Sequence, residues 1–151
     1  PGGVGVIIQD HDATIPQLVA WTAPQAMDPH AAEPTIIGDP QSLYLAYRMR
    51  EGGVALMRFG GVAMHSFGPP SPDEMETHIL YSLGLDALSF VEVEGSPCVR
   101  DLTRPEPGMR HWIITFPEGT FEVLATSANA VRIPQAESPL SAVAAVLNNR
   151  A

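Results

Sequence analysis

The chain has 151 residues, of which 45% are hydrophobic and 17% charged, and its formal net charge at pH 7 is −9. These values are typical of a globular protein that can bury its own core, so residues 1–151 are predicted to form a single domain. The charge is uneven, because residues 1–47 contain five acids and no arginine, whereas residues 48–151 contain all eight arginines and twelve acids. An acidic chain offers little basic surface for phosphates, which argues against nucleic acid as a partner.

The sequence contains no lysine and one cysteine, and these two facts exclude several kinds of catalytic, cofactor and metal site. Without lysine there is no Schiff base, no pyridoxal phosphate anchor and no phosphate-loop lysine. The single Cys98 excludes an internal disulfide and a cysteine-ligated zinc or iron–sulfur site, and it is interpreted as a small buried side chain. One cysteine fits a reducing compartment, and no apolar run reaches transmembrane length. The sequence therefore predicts a cytoplasmic protein with no cofactor, no metal and no membrane contact, and it leaves homo-oligomerisation open.

Residues 1–40 hold six of the fifteen prolines and are predicted to form an irregular arm that covers the core. Within this arm, residues 4–8 are expected to form an edge strand, and residues 15–21 a strand or one turn of helix. Trp21 and Met27 are the expected anchors of the arm on the core.

From residue 43 onwards, apolar residues recur at every second position, which is the period of a β-strand. The glycines at positions 52 and 53 are expected to reverse the chain. The pair at positions 60 and 61 predicts a bulge, a sharp bend or a close approach of the backbone. Apart from the hairpin at residues 110–126, the predicted strands cover residues 43–50, 54–59, 62–67, 88–94 and 130–133.

Three Ser-Pro pairs predict helix starts, because serine caps the first backbone N–H groups and proline fits the first helical position. The helix after Ser71 is expected to run to about residue 83, with Glu74 completing a capping box. A short helix follows Ser96, and the last helix covers residues 138–149. The side chains expected to face the core are Met75, Ile79 and Leu83 in the first helix and Leu140, Val143, Ala144 and Leu147 in the last.

Residues 110–126 form the largest apolar block and predict two strands joined by a tight turn. The predicted register places Phe116 opposite Thr120, and both faces of the hairpin are then apolar and covered. His111 and Glu122 point to opposite faces in this register, which predicts that they do not form a dyad. Glu122 is expected to have an arginine partner instead. The candidates are Arg48, Arg58 and Arg132.

Together these elements predict a β-rich α+β fold. Its centre is an antiparallel sheet of about five to seven strands over residues 43–133, with two or three short helices. Residues 1–40 would cover this sheet, and the helix of residues 138–149 would close the domain.

Histidines and acids are the side chains here that can transfer protons or bind metals. His111 lies at the end of an apolar hairpin face, which is compatible with general acid/base catalysis, although a structural hydrogen bond is the commoner role there. His65 precedes a stiff proline loop, and His78 would share a helix face with Glu74. The cluster Asp10-His11-Asp12 is interpreted as a solvated loop, since adjacent positions rarely converge on one ion. No metal site is predicted.

Three pieces, FGPPSPDEMETHILYSLGL, FVEVEGSPCVRDL and HWIITFPEGTFEVLA, resemble a group of small uncharacterised bacterial proteins with a C-terminal hairpin of the form HWIITF-x(3)-TFEV. The likeness covers about residues 43–127 and leaves out the proline-rich start. It implies a cytoplasmic bacterial protein and assigns no activity, ligand or catalytic residue.

Two classes of function remain open. In the first, a pocket between the sheet and the arm binds a small, mostly apolar molecule and acts on it through histidine general acid/base chemistry. The candidate catalytic residues are His111, His65 and His78, and the candidate ligand contacts are Glu122, Tyr47 and Trp112. The alternative is a non-catalytic interaction module, an accessory or inhibitor protein whose acidic N-terminal face meets a basic partner.

Overall fold

The computed structural model describes residues 15–39, 41–104 and 106–149. The strands in these ranges are β1 (Gln17–Ala20), β2 (Thr35–Gly38), β3 (Ser42–Arg48), β4 (Val54–Gly60), β5 (Met64–Gly68), β6 (Phe90–Glu94), β7 (Arg110–Phe116), β8 (Gly119–Ala125) and β9 (Ser127–Ile133). The α-helices are α1 (Pro97–Arg100) and α2 (Pro139–Asn149), and two 3₁₀ helices cover Pro72–Thr77 and Tyr81–Leu83. None of these helices has the length and apolar character that a membrane crossing requires.

The strands form two antiparallel sheets that pack face to face. The five-stranded sheet has the order β1-β6-β7-β8-β5, and the four-stranded sheet has the order β2-β3-β4-β9. The predicted β-rich α+β class with short helices is confirmed. The strands divide between two sheets, and the chain changes sheet after β1, after β4 and again after β8.

The changes of sheet after β4 and after β8 both occur where Gly60 and Gly61 meet Thr126. The Thr126 N–H donates to the carbonyl oxygen of Gly60 over 2.9 Å. A side chain at Gly61 would place its Cβ 2.2 Å from Thr126 Oγ1, and Gly61 has a φ of +60°, which glycine adopts most easily. The bend predicted at this glycine pair is confirmed, and its cause is the close approach of two crossing segments.

The inner faces of the two sheets form the main core. The alternation predicted for β3 and β4 is confirmed, because one set of their side chains enters this core and the other set faces α2. The four-stranded sheet contributes Leu43, Leu45, Tyr47, Ala55, Met57 and Phe59. The five-stranded sheet contributes Trp112, Ile114, Phe116, Phe121, Val123 and Ala125. Burial of each large apolar side chain is worth about 1.5–3 kcal/mol, so this interface is the main source of stability.

The hairpin of β7 and β8 has a register one residue away from the predicted one. Phe116 pairs with Gly119 rather than with Thr120, which shortens the connecting loop. Because side chains alternate along a strand, this shift exchanges the two faces of β8 relative to β7. Trp112 and Phe121 therefore enter the same core, although the predicted register separates them.

Residues 72–83 do not form the predicted α-helix. Two 3₁₀ helices replace it, and the predicted serine capping hydrogen bond is absent at the first of them. Met75 is buried as predicted, but Ile79 is 86% exposed and Leu80 is buried in its place. The backbone is extended at His78, between the two 3₁₀ helices. These short turns have a period near three residues, so the face predicted from the α-helical period is wrong.

The other two predicted helices exist. Ser96 and Ser138 cap α1 and α2, because each hydroxyl accepts backbone N–H groups from the first turn. The apolar face of α2 is rotated from the predicted one. Ala142 and Val143 are buried, whereas Leu140 is 60% exposed.

The described part of the N-terminal arm adds one edge strand to each sheet, β1 to the five-stranded sheet and β2 to the four-stranded sheet. The predicted anchors are confirmed, since Met27 is buried and the Trp21 ring lies 5.5 Å from that of Trp112. The strand predicted at residues 4–8 and the cluster Asp10-His11-Asp12 lie outside the described residues.

Candidate functional site

The outer face of the five-stranded sheet, which points away from the sandwich core, holds a connected set of polar side chains. Ile113 of β7 pairs with Glu122 of β8, and His111 lies two positions before Ile113 on the same face. His111 Nε2 lies 2.9 Å from Glu122 Oε1. The prediction that these two residues do not form a dyad is wrong, because it depended on a register shifted by one residue.

His78 reaches the same carboxylate from the segment between the two 3₁₀ helices. Its Nε2 lies 2.7 Å from Glu122 Oε2, and its Nδ1 accepts the Leu80 N–H over 3.0 Å. An accepting Nδ1 carries no proton, so the neutral ring has its proton on Nε2 and donates it to Glu122. His78 therefore pairs with Glu122, whereas the predicted helix would have placed it on the same face as Glu74.

Ser96 contacts the other ring nitrogen of His111. Ser96 Oγ accepts the N–H of Cys98 over 3.1 Å and the N–H of Val99 over 3.4 Å. With both lone pairs occupied, the hydroxyl donates its hydrogen to His111 Nδ1 over 2.7 Å. His111 therefore keeps its own proton on Nε2 and donates it to Glu122.

Glu122 is the charged member of this network. Burial would raise its pKa, but the hydrogen bonds from His111 and His78 outweigh burial, and the pKa lies below its ordinary value of 4.5. The side chains of His111 and His78 are 2% and 6% exposed, whereas that of Glu122 is 29% exposed. The carboxylate is thus the part of the network with most access to solvent.

The arginines predicted as partners of Glu122 contact other groups. Arg48 and Arg132 form ion pairs with other glutamates, and Arg58 donates from Nε to Ser42 Oγ over 3.1 Å. The prediction of an arginine partner is therefore wrong. Hydrogen bonds from two imidazole N–H groups offset the cost of partly burying the Glu122 carboxylate instead.

A cavity of about 200 Å³ opens beside this network. The residues that line it are Met64, Ser66, Cys98, His111, Glu122, Val123 and Leu124. Cys98 is exposed, which corrects the prediction of a buried side chain. Partial burial of the thiol and the nearby charge of Glu122 raise the pKa of Cys98, so its reactive thiolate form is disfavoured.

The set Ser96, His111 and Glu122 has the composition of a serine hydrolase triad but not its geometry. In such a triad the serine oxygen is free to attack the substrate while its proton passes to the imidazole. Ser96 is 4% exposed, and two backbone amides occupy its lone pairs. We therefore interpret Ser96 as a residue that orients His111.

Three residues from the sequence hypothesis lie away from this cavity. His65 is on the edge strand β5. The next residue, Ser66, pairs with Glu122 and lies on the same face of the sheet as Glu122. Because side chains alternate along a strand, His65 points to the opposite face. Tyr47 and Trp112 enter the core between the sheets. The Tyr47 hydroxyl donates to a backbone carbonyl of the arm over 2.6 Å, and burial raises the pKa of Tyr47.

Three hydroxyl or thiol side chains beside the cavity or the network are absent from the sequence hypothesis, namely those of Ser66, Cys98 and Ser96. The Ser-Pro pair identifies Ser96 as a helix cap, but nothing local indicates that its hydroxyl also meets His111. Finding Ser66 would have required the pairing of β5 with β8, which depends on contacts distant in sequence.

No family model, no curated protein and no solved structure matches this chain. Within residues 15–39, 41–104 and 106–149, no group of three or more histidine, cysteine, aspartate or glutamate side chains has an arrangement suited to a metal ion. The site is therefore interpreted from its own geometry and charge.

Proposed function

We propose that this protein binds a small molecule in the cavity beside Glu122, and that the ligand carries an amine or another N–H donor next to a short apolar group. The observation that supports this is the state of Glu122, which remains a carboxylate although it is half-buried. Two neutral imidazoles donate to it without cancelling its negative charge. A carboxylate has about four lone-pair sites, so two of them remain for a ligand.

The hydrogen bonds favour binding by Glu122 over acid/base catalysis by the histidines. Both ring nitrogens of His78 and of His111 already have partners, so a proton transfer from a ligand would first have to break one of these bonds. A carboxylate with a lowered pKa is a weak base but a good acceptor for a cation.

The size of the cavity restricts the ligand. About 200 Å³ is below the usual range of about 300–1,000 Å³ for pockets that enclose a drug-sized molecule. Met64 and Leu124 supply apolar contacts, and Ser66 supplies a hydroxyl. A small alkylamine, or the amine end of a larger molecule, has the matching chemistry.

The test is a binding series with butylamine, butanol and butyrate, followed by NMR on the wild-type protein. We expect butylamine to shift the resonances of cavity residues, and to do so more strongly than the other two probes. Glu122→Gln should weaken butylamine binding by about tenfold or more, because the charge of the acceptor is lost. Glu94→Gln is the matched control, since Glu94 is an exposed acid outside the cavity.

A second variant separates loss of the site from loss of the fold. Ser66→Leu should fill the cavity from an exposed edge strand while leaving both histidine bonds to Glu122 in place. It should therefore abolish butylamine binding with little change in stability. Equal binding of butylamine by wild type, Glu122→Gln and Ser66→Leu would refute the proposal.

The alternative of an interaction module with an acidic N-terminal face stays a prediction. Two of the five acids in residues 1–47 lie in residues 1–14, outside the described part of the chain.

A further inference from the structure

The opposite outer face of the sandwich has a groove that the Glu122 site does not use. Its volume is about 400 Å³, and it lies on the four-stranded sheet beside α2. The residues that line it are Tyr44, Leu56, Arg58, Asn129, Val131 and Val146. Pockets of this volume fall in the range that small ligands occupy.

The strand register divides the groove into a polar row and an apolar floor. Arg58 of β4 pairs with Asn129 of β9, which places a guanidinium next to a side-chain amide. Two residues away on the same face, Leu56 of β4 pairs with Val131 of β9. These two side chains and Val146 of α2 form the apolar floor of the groove. Val131 is 54% exposed, so this floor is apolar surface that α2 leaves open.

Arg58 supplies the charge of the groove. Its Nε donates to Ser42 Oγ over 3.1 Å, which orients the side chain. The arginine ion pairs found among the described residues are those of Arg48, Arg110 and Arg132, and none includes Arg58. A guanidinium has five N–H donors, so the two Nη groups of Arg58 can hold a planar anion in bidentate fashion.

We propose that this groove is a second binding site and that it takes a small amphipathic carboxylate. The carboxylate lies on the Nη groups of Arg58, with the amide of Asn129 as a further donor. The hydrocarbon part covers Leu56, Val131 and Val146. Charge complementarity selects this occupant, because the groove combines an arginine that has no carboxylate partner in the described structure with an open apolar floor.

The test is an NMR titration of the full chain with octanoate, and with octanol and octylamine as probes of the same length. We expect saturable shifts at Val131 and Val146 with octanoate, and weaker or no shifts with the other two probes. Arg58→Gln should weaken octanoate binding by about tenfold, because the charge-assisted pair is lost. Arg50→Gln, the matched control at another exposed arginine, should bind octanoate within about twofold of the wild type.

Two further variants address the floor and the independence of the site. Val131→Ser removes exposed apolar surface with little risk to the fold, and it should also weaken octanoate binding. Glu122→Gln should leave octanoate binding unchanged, since Glu122 lies on the other outer face. Octanoate shifts scattered over the whole surface, or binding that Arg58→Gln and Arg50→Gln affect equally, would overturn the proposal.

Discussion

At the scale of single residues, Glu122 explains how a charge is kept in a mostly apolar sheet. An uncompensated buried carboxylate would be protonated or would destabilise the fold. Here each carboxylate oxygen accepts one imidazole N–H, from His111 and from His78. Each imidazole in turn accepts a hydrogen at Nδ1, from the Ser96 hydroxyl and the Leu80 amide. Both nitrogens of each imidazole and both oxygens of the carboxylate therefore have a hydrogen-bond partner, which is the condition for a buried polar network to stabilise a fold.

Replacing Glu122 with glutamine should therefore destabilise the protein in a pH-dependent way. The amide would present an N–H₂ group to one imidazole N–H, so we expect a loss of about 1–3 kcal/mol at neutral pH. The pKa of Glu122 is lower in the folded state than its ordinary value of 4.5, so the folded state binds fewer protons. Its contribution is present above that value and is lost as the pH falls through the folded-state pKa.

Urea unfolding of wild type and Glu122→Gln between about pH 7 and pH 3 measures this difference. The gap in unfolding free energy should narrow as the pH falls through the folded-state pKa of Glu122, because a protonated glutamate is neutral like glutamine. Glu94→Gln should change stability by less than about 0.5 kcal/mol at neutral pH. If the difference in unfolding free energy between the wild type and Glu122→Gln stays constant over the whole pH range, the charge of the Glu122 carboxylate does not contribute to stability.

At the scale of elements, the hairpin of β7 and β8 decides which residues meet. Both of its faces are largely apolar, so the hydrophobic pattern is equally satisfied by two registers that differ by one residue. The turn chooses between them, because Gly119 pairs directly with Phe116. Gly119 has a φ of +156°, and a Cβ at this position would lie 2.9 Å from the carbonyl oxygen of Gly68 on β5. The absence of a side chain there lets β5 dock on β8.

Gly119→Ala should consequently destabilise the five-stranded sheet. The new methyl group meets backbone and not a flexible side chain, and the φ is unfavourable for alanine, so we expect a cost of about 1–3 kcal/mol. Gly68→Ala is the control on the other side of the contact, because a Cβ at Gly68 has no neighbour within 4 Å. Denaturant unfolding of both variants gives the comparison. Equal stability of the two variants would mean that β5 can move away from Gly119 without cost.

At the scale of the whole molecule, two sheets, α2 on one outer face and the 3₁₀ helices with α1 on the other form a layered sandwich. Phe59 lies at its centre, where its ring is 5.6 Å from that of Phe121, 5.9 Å from Trp112 and 6.2 Å from Trp21. These contacts join both sheets and the N-terminal arm in one aromatic cluster. The two outer cavities therefore lie on opposite sides of a shared rigid centre.

Phe59→Ala should be among the most damaging single substitutions in the chain. It leaves a cavity between the sheets, for which we expect a loss of about 3–5 kcal/mol in unfolding free energy. Phe67→Ala is the matched control, because Phe67 is 41% exposed on the edge strand β5. Tryptophan fluorescence follows both unfolding curves, since Trp21 and Trp112 flank Phe59. A loss at Phe67 as large as that at Phe59 would contradict this account of the core.

Local chemistry determined several features that could be predicted from the sequence alone. The alternating side chains of β3 and β4, the serine caps of α1 and α2, and the bend at Gly60 and Gly61 depend on neighbouring residues and on the φ angles that they allow. These features set the fold class. The polar network could not be predicted in this way, because His78 and Glu122 are 44 positions apart and meet only in the folded chain.

Tertiary structure decided the register of β7 and β8, the path of residues 72–83 and the division of the strands into two sheets. Each of these has alternatives that satisfy the local pattern about equally well, and long-range packing chooses among them. The observed register, one residue away from the predicted one, places Glu122 on the same face as His111. The extended backbone at His78, between the two 3₁₀ helices, brings that side chain to the same carboxylate. The candidate site exists because of these choices, which neighbouring residues alone do not specify.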